Sequence, residues 1–192
     1  MTQNLPYQFK KLTLADVTAY MDLQSKIIPA ATVNGLCRIK PRDEFYIAAH
    51  IQTMPAFGFV DTQTGALAAT ALVTYPDNPL ALHMDSYPFI DKLSDVFVVQ
   101  GLYVSPDHQK KGLSSLLLTQ AFAMAADDGR HIAYAKTGSE HGKKSFAKSG
   151  FVQVAGGIDY LHGYDVAYMR REECALPQVA LRLPAPAQFG YI

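Results

Sequence analysis

The sequence has little of several features that often reveal a protein's class. It holds only 2 cysteines, Cys37 and Cys174, far apart and without a neighbouring histidine, so neither a disulfide scaffold nor a metal site is expected. Its formal net charge is zero, which argues against nucleic acid as a partner. No apolar run is long enough to span a membrane, and the first residues do not resemble a signal peptide. We therefore expect a cytoplasmic protein with reduced thiols and no membrane or nucleic-acid partner.

The composition is that of a globular domain. Apolar residues make up 49% of the 192 residues and charged residues 18%, a balance too apolar for a disordered chain. At about 150 residues per domain, this length predicts a single domain. We place it over residues 1–192, with a core over residues 7–170 and a C-terminal extension over residues 171–192. The sequence leaves the oligomeric state open, and this proline-containing extension is a candidate for packing on the second subunit of a homodimer.

The order of predicted elements indicates an α/β (α+β) fold with a mixed central sheet, antiparallel in its N-terminal half. The predicted strands lie at residues 7–12, 57–60, 66–74, 95–104, 132–135, 151–154 and 163–169. A first helix after Thr13 is expected to be broken by Pro29 and Asn34-Gly35. Further helices are predicted at residues 42–54, with Phe45 and Ile47 among their apolar residues, and at 113–126 and 140–148. Residues 75–94 are interrupted by prolines, and we expect an irregular loop that could shape a substrate pocket.

The segment from Val99 to Leu117 carries the strongest chemical signal. An apolar strand ends in a turn, and Gly112 then opens a helix whose first residues include two serines. The first turn of a helix offers free backbone N–H groups and the positive end of the helix dipole. Lys110 and Lys111 add positive charge, so this turn could bind a phosphate or pyrophosphate, or it could be a solvated turn with an ordinary helix cap. A Walker loop needs Gly-Lys rather than Lys-Gly, and the three glycines of a Rossmann turn are absent.

Residues 109–114, which read Gln-Lys-Lys-Gly-Leu-Ser after an apolar strand, resemble the acetyl-coenzyme A signature of the GCN5-related N-acetyltransferases. That family's pattern is Arg or Gln, two variable residues, Gly, a variable residue, and then Gly or Ala, so Ser114 is a departure. A second segment, from Lys144 to Phe151, resembles the short helix and Gly-Phe corner that end the family's coenzyme-binding half. The resemblance covers about residues 7–170.

This resemblance implies the acyl-CoA N-acyltransferase fold, in which two coenzyme-binding strands splay apart. Acetyl-CoA would be a co-substrate, no metal would be needed, and the acetyl group would pass by direct attack to a primary amine of a small molecule or a protein. The backbone of Leu102, Tyr103 and Val104 would bind the pantetheine arm, and one of these amides could polarise the acetyl carbonyl. The remaining expected coenzyme contacts are Gln109, Lys110, Lys111, Gly112, Leu113, Ser114, Ser115 and Phe146.

The sequence departs from the family at the usual acid and base. Phe146 stands where many members have a tyrosine acid, and Gln100 stands where many have a glutamate base. Three explanations remain open: catalysis by positioning with water carrying the proton, substitution by other side chains, or loss of catalysis. Ser139 is our candidate donor to the leaving thiolate, at a position that the family often fills with an asparagine.

Other polar residues have ordinary structural explanations beside functional ones. Glu140 and His141 fit an exposed helix start, and Tyr134 fits strand packing. Tyr160, Tyr164 and Tyr168 could line an acceptor pocket, although strands favour tyrosine for packing. Two functions other than catalysis also stay open. Phe146 and Gln100 favour a non-catalytic module that binds or senses acyl-CoA, and the other alternative is an interaction protein whose turn binds no phosphate.

Overall fold

A computed structural model gives the structure of the protein and describes residues 6–33, 41–79, 93–159 and 164–172. Both cysteines, most of the proline-interrupted loop and nearly all of the C-terminal extension lie outside these residues, as do Tyr160 and the side chain of Tyr164. The expectations placed on them therefore stay predictions.

The described residues form one seven-stranded sheet with four α-helices. The strands are β1 (Tyr7–Lys11), β2 (Ala56–Asp61), β3 (Leu67–Thr74), β4 (Val96–Val104), β5 (Ile132–Thr137), β6 (Val152–Asp159) and β7 (Tyr164–Arg171). The helices are α1 (Val17–Val33), α2 (Glu44–Thr53), α3 (Leu113–Asp127) and α4 (Glu140–Lys148). The strand order is β1-β2-β3-β4-β5-β7-β6, which confirms the predicted mixed sheet.

Only β4 and β5 run parallel among these strand pairs. Parallel neighbours need a crossover connection, and α3 supplies it. Within the antiparallel N-terminal half, β2 and β3 form a hairpin through the turn at residues 62–66, where Gly65 takes a φ of +73°, whereas α1 and α2 lie between β1 and β2. This arrangement puts the end of β4 and the start of α3 at one edge of the central β4–β5 pair.

The helices cover both faces of the sheet. Ala69, Ala71 and Val73 of β3 pack in the same core as α3, whereas Leu72 between them packs in a second core with residues of α1 and α2. Because successive strand residues point to opposite faces, α3 lies on one face and α1 with α2 on the other. Apolar residues therefore run continuously along β3 and β4, as in a strand buried on both faces.

Strand β4 contains a β-bulge at Gly101. Leu72 pairs with Gln100 and Thr70 with Tyr103, so β4 has one more residue than β3 across this stretch. Gly101 has a φ of +52°, and its carbonyl oxygen accepts a hydrogen bond of 3.2 Å from the Thr70 hydroxyl. The extra residue reverses the alternation of side chains along the rest of the strand. Val99 packs on the α3 face before the bulge, and Leu102 packs on that face after it.

The structure confirms most predicted elements and corrects one detail, the predicted break of the first helix at Pro29. Helix α1 continues through Pro29 to Val33, because a proline removes one backbone hydrogen bond, which a 17-residue helix anchored on the sheet by buried Tyr20 can lose. Phe45 is 83% exposed, because it lies about 200° around α2 from buried Ile47. Within the described ranges, no helix is long and apolar enough to cross a membrane, and no cluster of His, Cys, Asp or Glu residues could hold a metal ion.

Candidate active site

The two parallel strands separate within the sheet. Their pairing runs from Val96 with Ile132 to Val99 with Ala135, whereas β4 continues to Val104 alongside β3 only. The bulge at Gly101 lies just beyond the last β4–β5 pair. Residues 100–104 therefore have one side bonded to β3 and the other directed into the opening between β4 and β5.

The bonding pattern with β3 shows which backbone groups face this opening. Ser105 N donates to Ala68 O over 2.9 Å, and hydrogen-bonded positions alternate along an antiparallel pair. Tyr103, opposite Thr70, is thus expected to direct its backbone N–H and C=O to β3, and its side chain is only 5% exposed. Leu102 and Val104 direct theirs toward the opening. Of the three predicted pantetheine contacts, the alternation therefore favours Leu102 and Val104.

The turn after β4 holds two residues in the left-handed region. Lys110 has a φ of +62° and is the only non-glycine residue with positive φ in the part of the chain that the structure describes. Gly112 has a φ of +80° and is the N-cap of α3. Left-handed residues placed this way turn successive backbone N–H groups toward one point, which creates a concave anion site. A lysine in a conformation that side chains disfavour is typical of a functional turn.

The surroundings of this turn suit a phosphate group. A Cβ added at Gly112 would meet no atom within 4 Å, so an anion can approach the backbone there. Lys110, Lys111 and Gln109 are exposed, and Ser114 and Ser115 lie in the first turn of α3. Leu113, only 1% exposed, fixes the start of the helix in the core. The seven residues predicted to hold the pyrophosphate, 109–115, form this turn and the start of α3, and their role in binding stays a prediction.

Polar contacts that the sequence did not reveal connect this turn to β1 and β2. The Tyr7 hydroxyl lies 3.0 Å from Nδ1 of His108, and Nε2 of His108 lies 3.8 Å from a carboxylate oxygen of Asp61. These three residues come from β1, β2 and the turn itself, and Tyr7 and His108 are 101 positions apart. Such a contact depends on tertiary structure, so no local sequence pattern could have indicated it.

The second segment that resembles the family, around α4, contributes to the fold: Ser139 caps this helix and Phe146 packs in the core. Ser139 is the N-cap of α4, and its Oγ accepts a hydrogen bond of 2.9 Å from the backbone N–H of Gly142. Its hydroxyl hydrogen stays able to donate, so its role as a donor to a thiolate remains a prediction. Phe146 is 6% exposed and packs edge to face on Phe151, with ring centroids 5.1 Å apart. Its ring is thus part of the core beneath α3, which leaves little of it for coenzyme contact.

A polar cluster lies on the opposite side of β4, at the bulge. The Arg42 guanidinium donates from Nη2 to Oε1 of Gln100, and the Tyr46 hydroxyl lies 3.4 Å from the same oxygen. Tyr20 is fully buried beside them, and its hydroxyl makes no hydrogen bond of normal geometry with the described residues. Sequence reasoning identified Gln100 but missed Arg42, because an arginine before a helix gives no signal of a contact 58 residues away.

His50 on α2 belongs to the same buried region. It is 1% exposed, and its pKa is lowered to about 4, mainly because burial disfavours the charged ring and also because Arg42 repels it. The unfolded chain, with a pKa of 6.5, therefore binds a proton that the folded protein rejects. The stability that the neutral His50 ring contributes is therefore fully present above pH 6.5 and is lost as the pH falls toward 4.

We expect this histidine to cost about 3 kcal/mol of stability between pH 6.5 and pH 4. Urea unfolding at pH 7.5 and pH 4.5 measures the loss. The His50→Gln variant should be less stable than wild type at pH 7.5 but should lose much less on acidification. An equal acid-induced loss in both proteins would show that His50 does not reject the proton.

A family of known proteins matches the part of the chain that holds the splayed strands and the left-handed turn ahead of α3. The model of the acetyltransferase (GNAT) family matches residues 30–151. The chain belongs to the GNAT acetyltransferase family. This confirms the resemblance drawn from residues 109–114 and 144–151. No curated protein matches the chain significantly.

Solved structures of GNAT acetyltransferases share this fold. The yncA protein of Salmonella typhimurium, solved with its cofactor acetyl-CoA, superposes with a TM-score of 0.63 at 18% identity over 86% of this chain and 93% of that one. The ribosomal-protein-S18-alanine N-acetyltransferase of Escherichia coli superposes with a TM-score of 0.62 at 16% identity, over 92% of this chain and 98% of that one. N-acetylglutamate synthase from Neisseria gonorrhoeae, solved with coenzyme A and N-acetyl-glutamate, superposes with a TM-score of 0.62 at 18% identity, over 89% of this chain and 36% of that one. At these identities the likeness establishes the GNAT fold.

Proposed function

We propose that the protein is an N-acetyltransferase that transfers the acetyl group of acetyl-CoA to a primary amine by direct attack. The observation that carries this proposal is the left-handed turn at Lys110 and Gly112, which follows the part of β4 that is separated from β5. Family membership supports acetyl-CoA as the co-substrate. The turn would hold the pyrophosphate, and the backbone groups of Leu102 and Val104 would hold the pantetheine arm.

In this proposal the residues act by positioning more than by proton transfer. Gln100 does not titrate, and its carbonyl oxygen is already bonded to Arg42, so it cannot serve as a base. A backbone N–H at the opening would donate to the acetyl oxygen, where negative charge develops during attack. Orienting the amine against the thioester lowers the barrier without a dedicated base, and water would take the proton. Ser139 is the proposed donor to the sulfur of the leaving coenzyme A.

Two measurements test this function. Acetyl-CoA should raise the melting temperature by several degrees, and free thiol should accumulate when a suitable amine is added. A panel of primary amines, including amino acids, polyamines and peptides with free N-termini, provides the acceptors. Absence of any stabilisation by acetyl-CoA, desulfo-CoA or coenzyme A would contradict the proposal.

A non-catalytic acyl-CoA sensor is the second candidate function. It is favoured by Phe146, which is buried in the core and has no proton to donate, and by the engagement of Gln100 with Arg42. The same panel separates the two functions. Binding of acetyl-CoA without release of thiol for any acceptor would favour the sensor.

A further inference from the structure

Arg42 is a partly buried cation that has no carboxylate partner among the described residues. Its guanidinium lies 5.3 Å from the ring centroid of Tyr46 and donates to the neutral amide of Gln100. The nearest carboxylate in sequence, that of Asp43, instead accepts from the backbone N–H of Tyr46 as the cap of α2. Arg130, by contrast, binds Asp77 with two bonds of 2.7 and 2.9 Å.

The protein uses a buried side chain to hold Arg42 in place. The amide of Gln24, which is 2% exposed, donates to the Arg42 carbonyl over 2.8 Å and accepts from the Arg42 N–H over 3.1 Å. These paired bonds fix the backbone at residue 42 against α1 before α2 begins. A surface arginine that only improves solubility would not need such support.

The guanidinium lies where the strands separate. Gln100, its partner, is the first residue of β4 beyond the last β4–β5 pair, Val99 with Ala135. The proposed function puts the thioester near this opening, so an amine approaching it would carry its other substituents past Arg42.

No carboxylate of the described residues balances the positive charge here. The groups around the guanidinium are the phenols of Tyr20, Tyr46 and Tyr103 and the amide of Gln100. The charge of Arg42 is also felt by His50, where it contributes to the lowered pKa. A guanidinium has five N–H donors in a planar fork that matches a carboxylate, and Gln100 accepts only one of its hydrogen bonds. Removing such a cation from water is costly unless an anion accompanies it.

We infer that the acceptor is a small amine with a carboxylate next to it, an α-amino acid, and that Arg42 binds this carboxylate. The inference rests on the proposed function and narrows its substrate class. Arg42 would act as a specificity-determining residue: its bonds to the carboxylate would hold the neighbouring amine toward the opening between β4 and β5. A peptide N-terminus has an amide at that place and would leave the guanidinium unpaired.

The experiment compares L-amino acids with their α-amides. Thiol release gives kcat/KM for each pair, and calorimetry on the protein saturated with coenzyme A gives the affinity without requiring turnover. In the wild type, the best amino acid should be preferred over its amide by about 10- to 100-fold, the range for hydrogen bonds to a charged group. Arg42→Gln should reduce the preference to less than about 3-fold, and Arg42→Lys should restore part of it.

Controls keep the outcome specific to Arg42. Lys26→Gln removes the same charge from an exposed position on α1 and should leave the preference unchanged. Melting temperatures and stabilisation by acetyl-CoA check that the Arg42 variants are folded and still bind coenzyme. Equal use of acid and amide, a preference that survives Arg42→Gln, or no binding of any amino acid would overturn the inference. Failure of the proposed function is distinct, because no acceptor of the panel, acid or amide, would then release thiol, whether or not acetyl-CoA stabilises the wild type.

Discussion

The Gly112→Asp variant should lose its stabilisation by acetyl-CoA. A side chain at this N-cap would project into the open face of the turn, and a carboxylate there would repel the pyrophosphate. At a concentration 100 times the Kd, a ligand stabilises a protein by about 2.7 kcal/mol, which in a domain of this size raises the melting temperature by about 5–10 °C. We expect this shift in the wild type and almost none in the variant, measured by thermal melting with and without acetyl-CoA.

The chain offers a matched control in Gly65→Asp. Gly65 has a φ of +73°, close to the +80° of Gly112, and a Cβ there likewise meets no atom within 4 Å. It lies in the turn between β2 and β3, so Gly65→Asp imposes the same charge and comparable backbone strain outside the proposed site. This variant should melt lower than the wild type yet keep its full shift with acetyl-CoA. A normal shift in Gly112→Asp would place the pyrophosphate elsewhere.

The Gly101→Ala variant should lose about 2–5 kcal/mol of stability. Gly101 has a φ of +52°, which costs an L-residue about 1–2 kcal/mol. Its new Cβ would lie 2.5 Å from the buried Tyr20 hydroxyl and 3.2 Å from Leu72, and overpacking of this kind costs about 1–3 kcal/mol. Urea unfolding of both proteins measures the difference in the free energy of unfolding.

A double-mutant cycle separates the two causes. Tyr20→Phe removes the hydroxyl that the new Cβ would meet, and by itself it should change stability by less than about 1 kcal/mol, because this buried hydroxyl makes no hydrogen bond of normal geometry. Gly101→Ala should cost less in the Tyr20→Phe background by the part of its effect that comes from contact with the Tyr20 hydroxyl. Strict additivity of the two changes would show that this contact contributes nothing and that the cost comes from the backbone conformation and the contact with Leu72.

Local sequence patterns predicted most of the secondary structure. The helix at residues 140–148 and the strands around Gly65 were predicted from caps, turn residues and apolar periodicity, which act within a few residues. The same holds for the turn before α3, where Gly112 takes the left-handed conformation expected of an anion site. The predicted break of α1 at Pro29 was wrong, because the packing of α1 on the sheet outweighs the effect of one proline.

The bulge at Gly101 could not be predicted in this way. A glycine inside an apolar strand can reflect packing, a bulge or a close approach of two backbones, and only the pairing with β3 distinguishes these. Its effect on the site is large, because it changes which of residues 102–104 face the opening. The alternation of side chains in the sequence alone would have placed them on the wrong faces.

The sequence by itself determined the family, the order of the elements and the turn before α3, because residues 109–114 are contiguous and their chemistry is local. The tertiary structure decided what surrounds that turn and what lies across β4 from it. It joined Tyr7 to His108 and Arg42 to Gln100, pairs that are 101 and 58 residues apart. Contacts over such distances depend on how the sheet brings the strands together. The contact between Arg42 and Gln100 is the one from which the acceptor is inferred.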